Sequence, residues 1–185
     1  RPNYHYTALR GWLNDPNGLC FFGGQYHLFH QHNPVGWHWG NMHWGHAVSR
    51  DMVRWERLGQ ALTPDEDGTA FSGSALVEGD KAYLYYTAAP DGNGRWTDLA
   101  FTQKMVVMSE DGAIGPKRTR VVGPIYPATR DPKVFRFGDH YVMALYADDP
   151  DAPNDFLILT SRDRLNWEKT CRLTVPEATE CPDLF

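Results

Sequence analysis

An all-β fold made of repeated four-stranded units is what this sequence predicts, on three observations. The segment Ser49-Arg50-Asp51-Met52-Val53-Arg54-Trp55-Glu56 recurs as Ser161-Arg162-Asp163-Arg164-Leu165-Asn166-Trp167-Glu168. The copies at positions 49 and 161 are 112 residues apart, and Ser109-Glu110-Asp111-Gly112 lies between them. A glycine-led turn into an aromatic run also recurs. It is found at Gly24-Gln25-Tyr26-His27-Leu28, Gly79-Asp80-Lys81-Ala82-Tyr83-Leu84 and Gly138-Asp139-His140-Tyr141-Val142-Met143, at intervals of 55 and 59. Finally, short aromatic or alternating runs bounded by Gly, Pro, Asn and Asp fill the chain, and no amphipathic helix longer than a turn or two stands out.

In the first repeat the runs place strands at 18–22, 26–31, 44–49 and 55–61. The recurring markers set repeats at about 12–68, 69–127 and 128–179, with a fourth beginning at 180 and its first strand at 184–185. Four antiparallel strands per repeat fit a β-propeller blade; a sandwich explains the strands but not the repeat. Propellers typically close with about four to eight blades. The chain is therefore expected to be the incomplete amino-terminal part of a longer protein, holding three blades and one strand. An open blade edge invites pairing with another chain, so the isolated fragment is expected to self-associate.

Composition narrows the classes. The 185 residues are 42% hydrophobic, enough for a sizeable core. The net charge of −5 comes without a basic cluster, which excludes nucleic acid and anionic membranes as expected partners. No apolar run approaches the roughly 18 residues that span a bilayer. Seven Trp, nine Tyr and nine Phe suit strand packing, with some left to stack on flat sugar faces. Cys20, Cys171 and Cys181 are odd in number and lack metal-type spacing, which argues against a disulfide framework. Cys20 and Cys171 read as small buried apolar residues.

The chemistry sits at the start of each repeat. Asp15, Ser72, Asp131 and the segment from Glu180 to Asp183 occupy equivalent places before the first strand. In a propeller those strands line a central channel, so the three acids converge. Asp-Pro and Asn-Gly pairs also form turns, which is a local use for each Asp taken singly. Glu has little such use, which makes Glu180 the most telling of the three. Two carboxylates flanking a sugar linkage are the minimum equipment of a glycosidase.

Six segments in order carry a family resemblance: WLNDPNG at 12–18, HLFHQHNP at 27–34, WGNMHWGHAVSRDMVRW at 39–55, FSGSA at 71–75, RDPKVF at 130–135 and ECPDLF at 180–185. Together they resemble the amino-terminal part of glycoside hydrolase family 32, the β-fructofuranosidases that include invertases, inulinases and levanases. The resemblance implies a five-bladed propeller, usually followed by a β-sandwich, that hydrolyses terminal β-D-fructofuranosides with retention. It makes Asp15 the nucleophile, Glu180 the general acid/base and Asp131 the acid that supports the transition state. Retention sets the two working carboxyls about 5 to 5.5 Å apart, and the acid is expected to be kept protonated by burial and neighbouring acids.

The remaining matches imply a fructosyl pocket of Asn14, Gln31, Trp39, Phe71, Ser72 and Arg130. Asn14 and Gln31 can bind vicinal hydroxyls, Trp39 and Phe71 can form apolar walls, and Arg130 can pair with a carboxylate. For Phe71 a core role is equally consistent. Trp37 and His38 read as rim residues, while Trp12, Trp44, Trp55 and Trp167 read as blade packing. Six histidines between His27 and His46 include pairs at ligand spacing, yet the acids need no metal, and neither metal nor cofactor is expected. The expected partner is a fructose-containing oligo- or polysaccharide. Fructosyl transfer on the same scaffold, or a non-catalytic carbohydrate-binding propeller, are the alternatives.

Overall fold

The computed structural model describes residues 5–91 and 96–184, and among them it contains twelve β-strands and no helix. The strands are β1 (Trp12–Phe22), β2 (Gln25–Asn33), β3 (His43–Ser49), β4 (Glu56–Leu62), β5 (Thr69–Glu78), β6 (Lys81–Ala89), β7 (Thr102–Ser109), β8 (Thr119–Val122), β9 (Arg130–Phe137), β10 (His140–Tyr146), β11 (Asp155–Ser161) and β12 (Glu168–Thr174). They form three antiparallel meanders, β1 to β4, β5 to β8 and β9 to β12. Four consecutive strands to a sheet is the pattern the repeats predicted.

Both recurring markers are turns. Each first hairpin closes over two residues, and its glycine takes positive φ: 54° and 75° at Gly23 and Gly24, 62° at Gly79 and 61° at Gly138. Such turns match the twist of the flanking strands. Each third-to-fourth strand connection is held by a Ser and an Asp. Ser49 Oγ donates to Asp51 Oδ1, which also accepts the Val53 and Arg54 amides. Ser161 Oγ and the Leu165 and Asn166 amides repeat this on Asp163 Oδ1. Ser109 Oγ and the Ala113 amide do so on Asp111 Oδ1. The repeated residues are thus the side chains that satisfy a tight turn's backbone donors.

Packing runs between successive sheets, through two separate cores. Phe22, Phe29, Trp44 and Leu62 meet Leu84, Tyr86, Val106 and Met108 between the first and second sheets. Leu76, Tyr85 and Met105 meet Val134, Tyr141, Met143, Leu145, Leu157 and Leu159 between the second and third. Strand β6 serves both because alternate residues point to opposite faces. Its Leu84 and Tyr86 enter the first core, and Tyr85 enters the second. Gly73 is dictated by close approach, since a Cβ there would lie 2.0 Å from the Tyr85 carbonyl oxygen. Leu19, Phe21 and Phe137, on the two outer sheets, are exposed.

Several expectations need correction. Strands β1 and β9 begin at Trp12 and Arg130, so Asp15 and Asp131 lie within strands rather than before them. Residues 175–184 carry no strand, and Phe185 lies outside the described residues. A strand needs a hydrogen-bonding partner, and none of the described residues pairs with Leu184. Trp44 is fully buried and Trp167 packs on the second core, but Trp12 is 36% exposed and is not blade packing. Cys171 is exposed, because its strand β12 is the solvated outer strand of its sheet.

The histidines pack the first sheet. His27 Nδ1 and His46 Nε2 share a hydrogen bond of 2.9 Å, His46 stacks on Phe29, and the Tyr6 hydroxyl meets His30 Nε2 at 3.1 Å. Among the described residues no group of three His, Cys, Asp or Glu is placed to hold a metal ion. Burial pushes His30 down to about 4 and His46 down to about 3. Both lie below the unfolded value of about 6.5, so the unfolded chain takes up protons first. The stability tied to neutral His30 and His46 is complete above about pH 6.5 and is lost as pH falls through 4 and 3. We expect His30→Gln to flatten the pH dependence of urea unfolding between about pH 6.5 and 4, and an unchanged slope would refute this origin.

Candidate active site

The same irregularity occurs in all three inner strands. Between Leu13 and Pro16, Ala70 and Gly73, and Arg130 and Lys133, three steps on the inner strand face two on its partner. Each is a β-bulge, which inserts one residue and re-aims the side chains around it. The bulges fall at Asp15, Ser72 and Asp131, so the equivalent positions share one backbone device.

These bulged segments lie side by side. Ser72 Oγ donates to Asp15 Oδ2 at 2.8 Å, and the Gly73 amide donates to Asn17 Oδ1 at 3.2 Å, joining β5 to β1. Ser74 Oγ donates to the Pro132 carbonyl at 2.8 Å and accepts the Val134 amide at 2.9 Å, joining β5 to β9. The Asp131 amide donates to Thr87 Oγ1 at 2.9 Å. That bond helps hold Asp131 in the left-handed region at φ 62°, which is costly for a non-glycine residue.

The segment after β12 brings in the third acid. Cys181 donates its amide to Asp131 Oδ2 at 3.1 Å, and its Sγ lies 3.7 Å from that oxygen and 3.9 Å from Asp15 Oδ2. One residue earlier, Glu180 Oε1 accepts Arg130 Nη2 at 2.6 Å. Cys181 therefore lies between Asp15 and Asp131, and Arg130 between Asp131 and Glu180. Asp131 and Ser72 also line a cavity of about 150 Å³ with Asn17, Lys133 and Cys181. Asp15 reaches it through Ser72 and Cys181, and Glu180 stands outside it, its side chain 56% exposed.

Electrostatics distinguish the acids. Burial pushes Asp131 up to about 6, against the Cys181 amide and Arg130, which favour its charged form, while Glu180 adds to the rise. Burial, expected at Glu180, falls instead on Asp131, while the exposed Glu180 carboxylate pairs with the Arg130 guanidinium. Burial and the adjoining Asp131 and Asp15 push the Cys181 thiol up to about 12, so it is neutral beside them.

The other expected pocket residues spread around this centre. Asn14 Oδ1 accepts the Trp12 indole N–H at 2.8 Å. Gln31 is buried, and its Nε2 donates to the Ala70 carbonyl at 2.9 Å, beside the second bulge. Trp39 is half exposed, and its ring meets Phe71 edge-on at 5.5 Å. Phe71 in turn meets Phe101 at 5.8 Å. Sequence reasoning missed Cys181, Phe101 and Thr87. Only Cys181 had a signal, its place beside Glu180 in ECPDLF.

A family model described as the glycosyl hydrolases family 32 N-terminal domain matches residues 5–185. The chain belongs to this family. The levanase of Bacillus subtilis (strain 168) is 39% identical over 205 residues, covering all of this chain and 29% of the levanase. A sucrose-6-phosphate hydrolase of Escherichia coli is 37% identical over 196 residues, covering all of this chain and 41% of that enzyme. The solved sucrose-6-phosphate hydrolase of Lactobacillus gasseri superimposes with a TM-score of 0.84 at 33% identity, over 95% of this chain and 37% of that one. This family 32 chain thus spans well under half the length of each of these relatives.

Proposed function

We propose that the whole protein is a retaining β-fructofuranosidase, a closed five-bladed propeller of which this chain holds three blades. Closure would cover the exposed apolar residues of the outer sheets, which left open offer a surface for self-association. The observation that carries the reading is the convergence of Asp15 and Asp131, each on a bulged strand, with Glu180 from the segment after β12, within a family of glycoside hydrolases. The substrates are fructose-containing saccharides, as the names of the levanase and the sucrose-6-phosphate hydrolases suggest.

In this reading an Asp15 oxygen attacks the anomeric carbon of a terminal fructosyl unit while Glu180 gives a proton to the departing oxygen. Glu180 then takes a proton from water, whose oxygen attacks the same carbon and frees Asp15. Two inversions give net retention. Asp131 takes hydrogen bonds from sugar hydroxyls that strengthen as positive charge develops on the ring. Gln31 and Asn14 bind hydroxyls, and Trp39 with Phe71 forms the apolar wall. The full-length protein should release β-fructose first from sucrose, inulin or levan, as followed by NMR of the initial anomer. Release of the α-anomer, or inactivity on all three, would refute the reading.

A further inference from the structure

The Arg130 guanidinium is gripped from three sides, and one of the groups holding it has no part in the chemistry above. Its Nη2 donates to Glu180 Oε1 at 2.6 Å, while Nη1 donates to Asp148 Oδ2 at 3.1 Å and to the Ala128 carbonyl at 2.9 Å. Its Nε stands 3.8 Å from Asp131 Oδ2, beyond hydrogen-bond reach. The guanidinium lies over the Tyr146 ring, 4.7 Å from its centroid, and the Tyr146 hydroxyl is anchored on the Pro153 carbonyl. The neighbouring Asp149 is taken up by Arg172 at 2.8 Å. Asp148 is thus the acid of this loop that turns to Arg130. It does so from φ 50°, a left-handed conformation that the loop must maintain.

We propose that Asp148 is a positioning residue that fixes the Arg130 guanidinium between two acids. This rests on Glu180 being the acid/base. A cation shared with Asp148 keeps Nη2 at Glu180 while only part of its charge acts there. With Asp148 gone, Arg130 is free to approach Asp131 and its whole charge falls on Glu180 and Asp131. The groups facing this centre are Asp131 and Arg130 from β9, Asp148 and Tyr146 from β10 and the loop after it, Glu180 and Cys181 from the last segment, and Asp15 through Cys181. Of these, Asp148 can be neutralised without touching a group assigned to substrate.

The test is Asp148→Asn and Asp148→Glu in the full-length enzyme. Asp148→Asn removes the charge at constant shape, and an unshielded Arg130 favours the carboxylate forms of Glu180 and Asp131. The alkaline limb of kcat/KM on sucrose should move to lower pH, and kcat should fall about tenfold with KM little changed. Asp148→Glu, which restores the charge, should recover most of both. An unmoved limb, or loss of thermal stability with an unchanged profile, would overturn the inference. A wild-type enzyme inactive on every fructoside would instead reject the proposed function.

Discussion

Asp15→Asn should abolish fructosyl-enzyme formation in the full-length enzyme and lower kcat/KM on sucrose by about 10⁴-fold or more. The amide oxygen carries no full charge and cannot displace the leaving oxygen, so the first bond is not made. The fold should tolerate the change. Asp15 sits half-buried in a bulge, and its contacts are the Ser72 hydroxyl and the Cys181 thiol. An asparagine oxygen still accepts from Ser72, and no charge partner is left unpaired. Thermal unfolding should therefore move by no more than the roughly 0.5 kcal/mol typical of mild changes. Mass spectrometry of enzyme treated with a slowly released fructosyl donor should show an adduct on wild-type Asp15 and none on the variant. An adduct on any other residue would remove Asp15 from the nucleophilic role.

The repeat was legible because its markers are local. A Gly at positive φ and a Ser-x-Asp turn act through their own backbone, so they recur wherever the turn recurs, as at Ser49 and Ser161. The bulges were not legible, because a bulge is a property of two strands in register and β2, β6 and β10 lie downstream. This is why Asp15 and Asp131 were placed ahead of strands that in fact contain them. Trp12 was misplaced for a related reason. Its indole serves Asn14, a neighbour two residues away, where composition alone suggested a core ring.

Buried charge was the least readable feature. Lys104, between Gln103 and Met105, is buried, with Nζ 2.8 Å from Asp65 and 2.9 Å from Asp67. Removing an ammonium from water is costly unless it is paired, and the turn at Asp65 supplies both partners from the loop that leads into β5. Such a pairing depends on where β7 meets that loop, across 39 residues for the Asp65 bond. Asp148 is a parallel case, since it lies in the loop after β10 and its partner Arg130 begins β9. The acids proposed for the chemistry stand out by residue type, whereas the partners of Lys104 and Arg130 are set only by the three-dimensional fold.

Glu180→Gln should separate substrates by their leaving groups. The replacement amide keeps an oxygen for Arg130 Nη2, which now bonds Glu180 Oε1 at 2.6 Å, so the local geometry should survive. It has no proton to give. Sucrose, whose leaving group is a sugar alkoxide unless protonated, should lose about 10² to 10⁴ in the fructosylation rate. A fructoside with a strongly acidic leaving group needs no such proton and should form the covalent intermediate at close to the normal rate. That intermediate should then accumulate, because water also needs Glu180 as its base. Azide, a nucleophile that carries no proton to remove, should restore turnover by attacking the anomeric carbon as Asp15 departs, giving a fructosyl azide of retained configuration. Equal losses on both substrates, with no response to azide, would assign the proton transfer to another residue, and Asp131, buried and pushed up to about 6, would be the next to test.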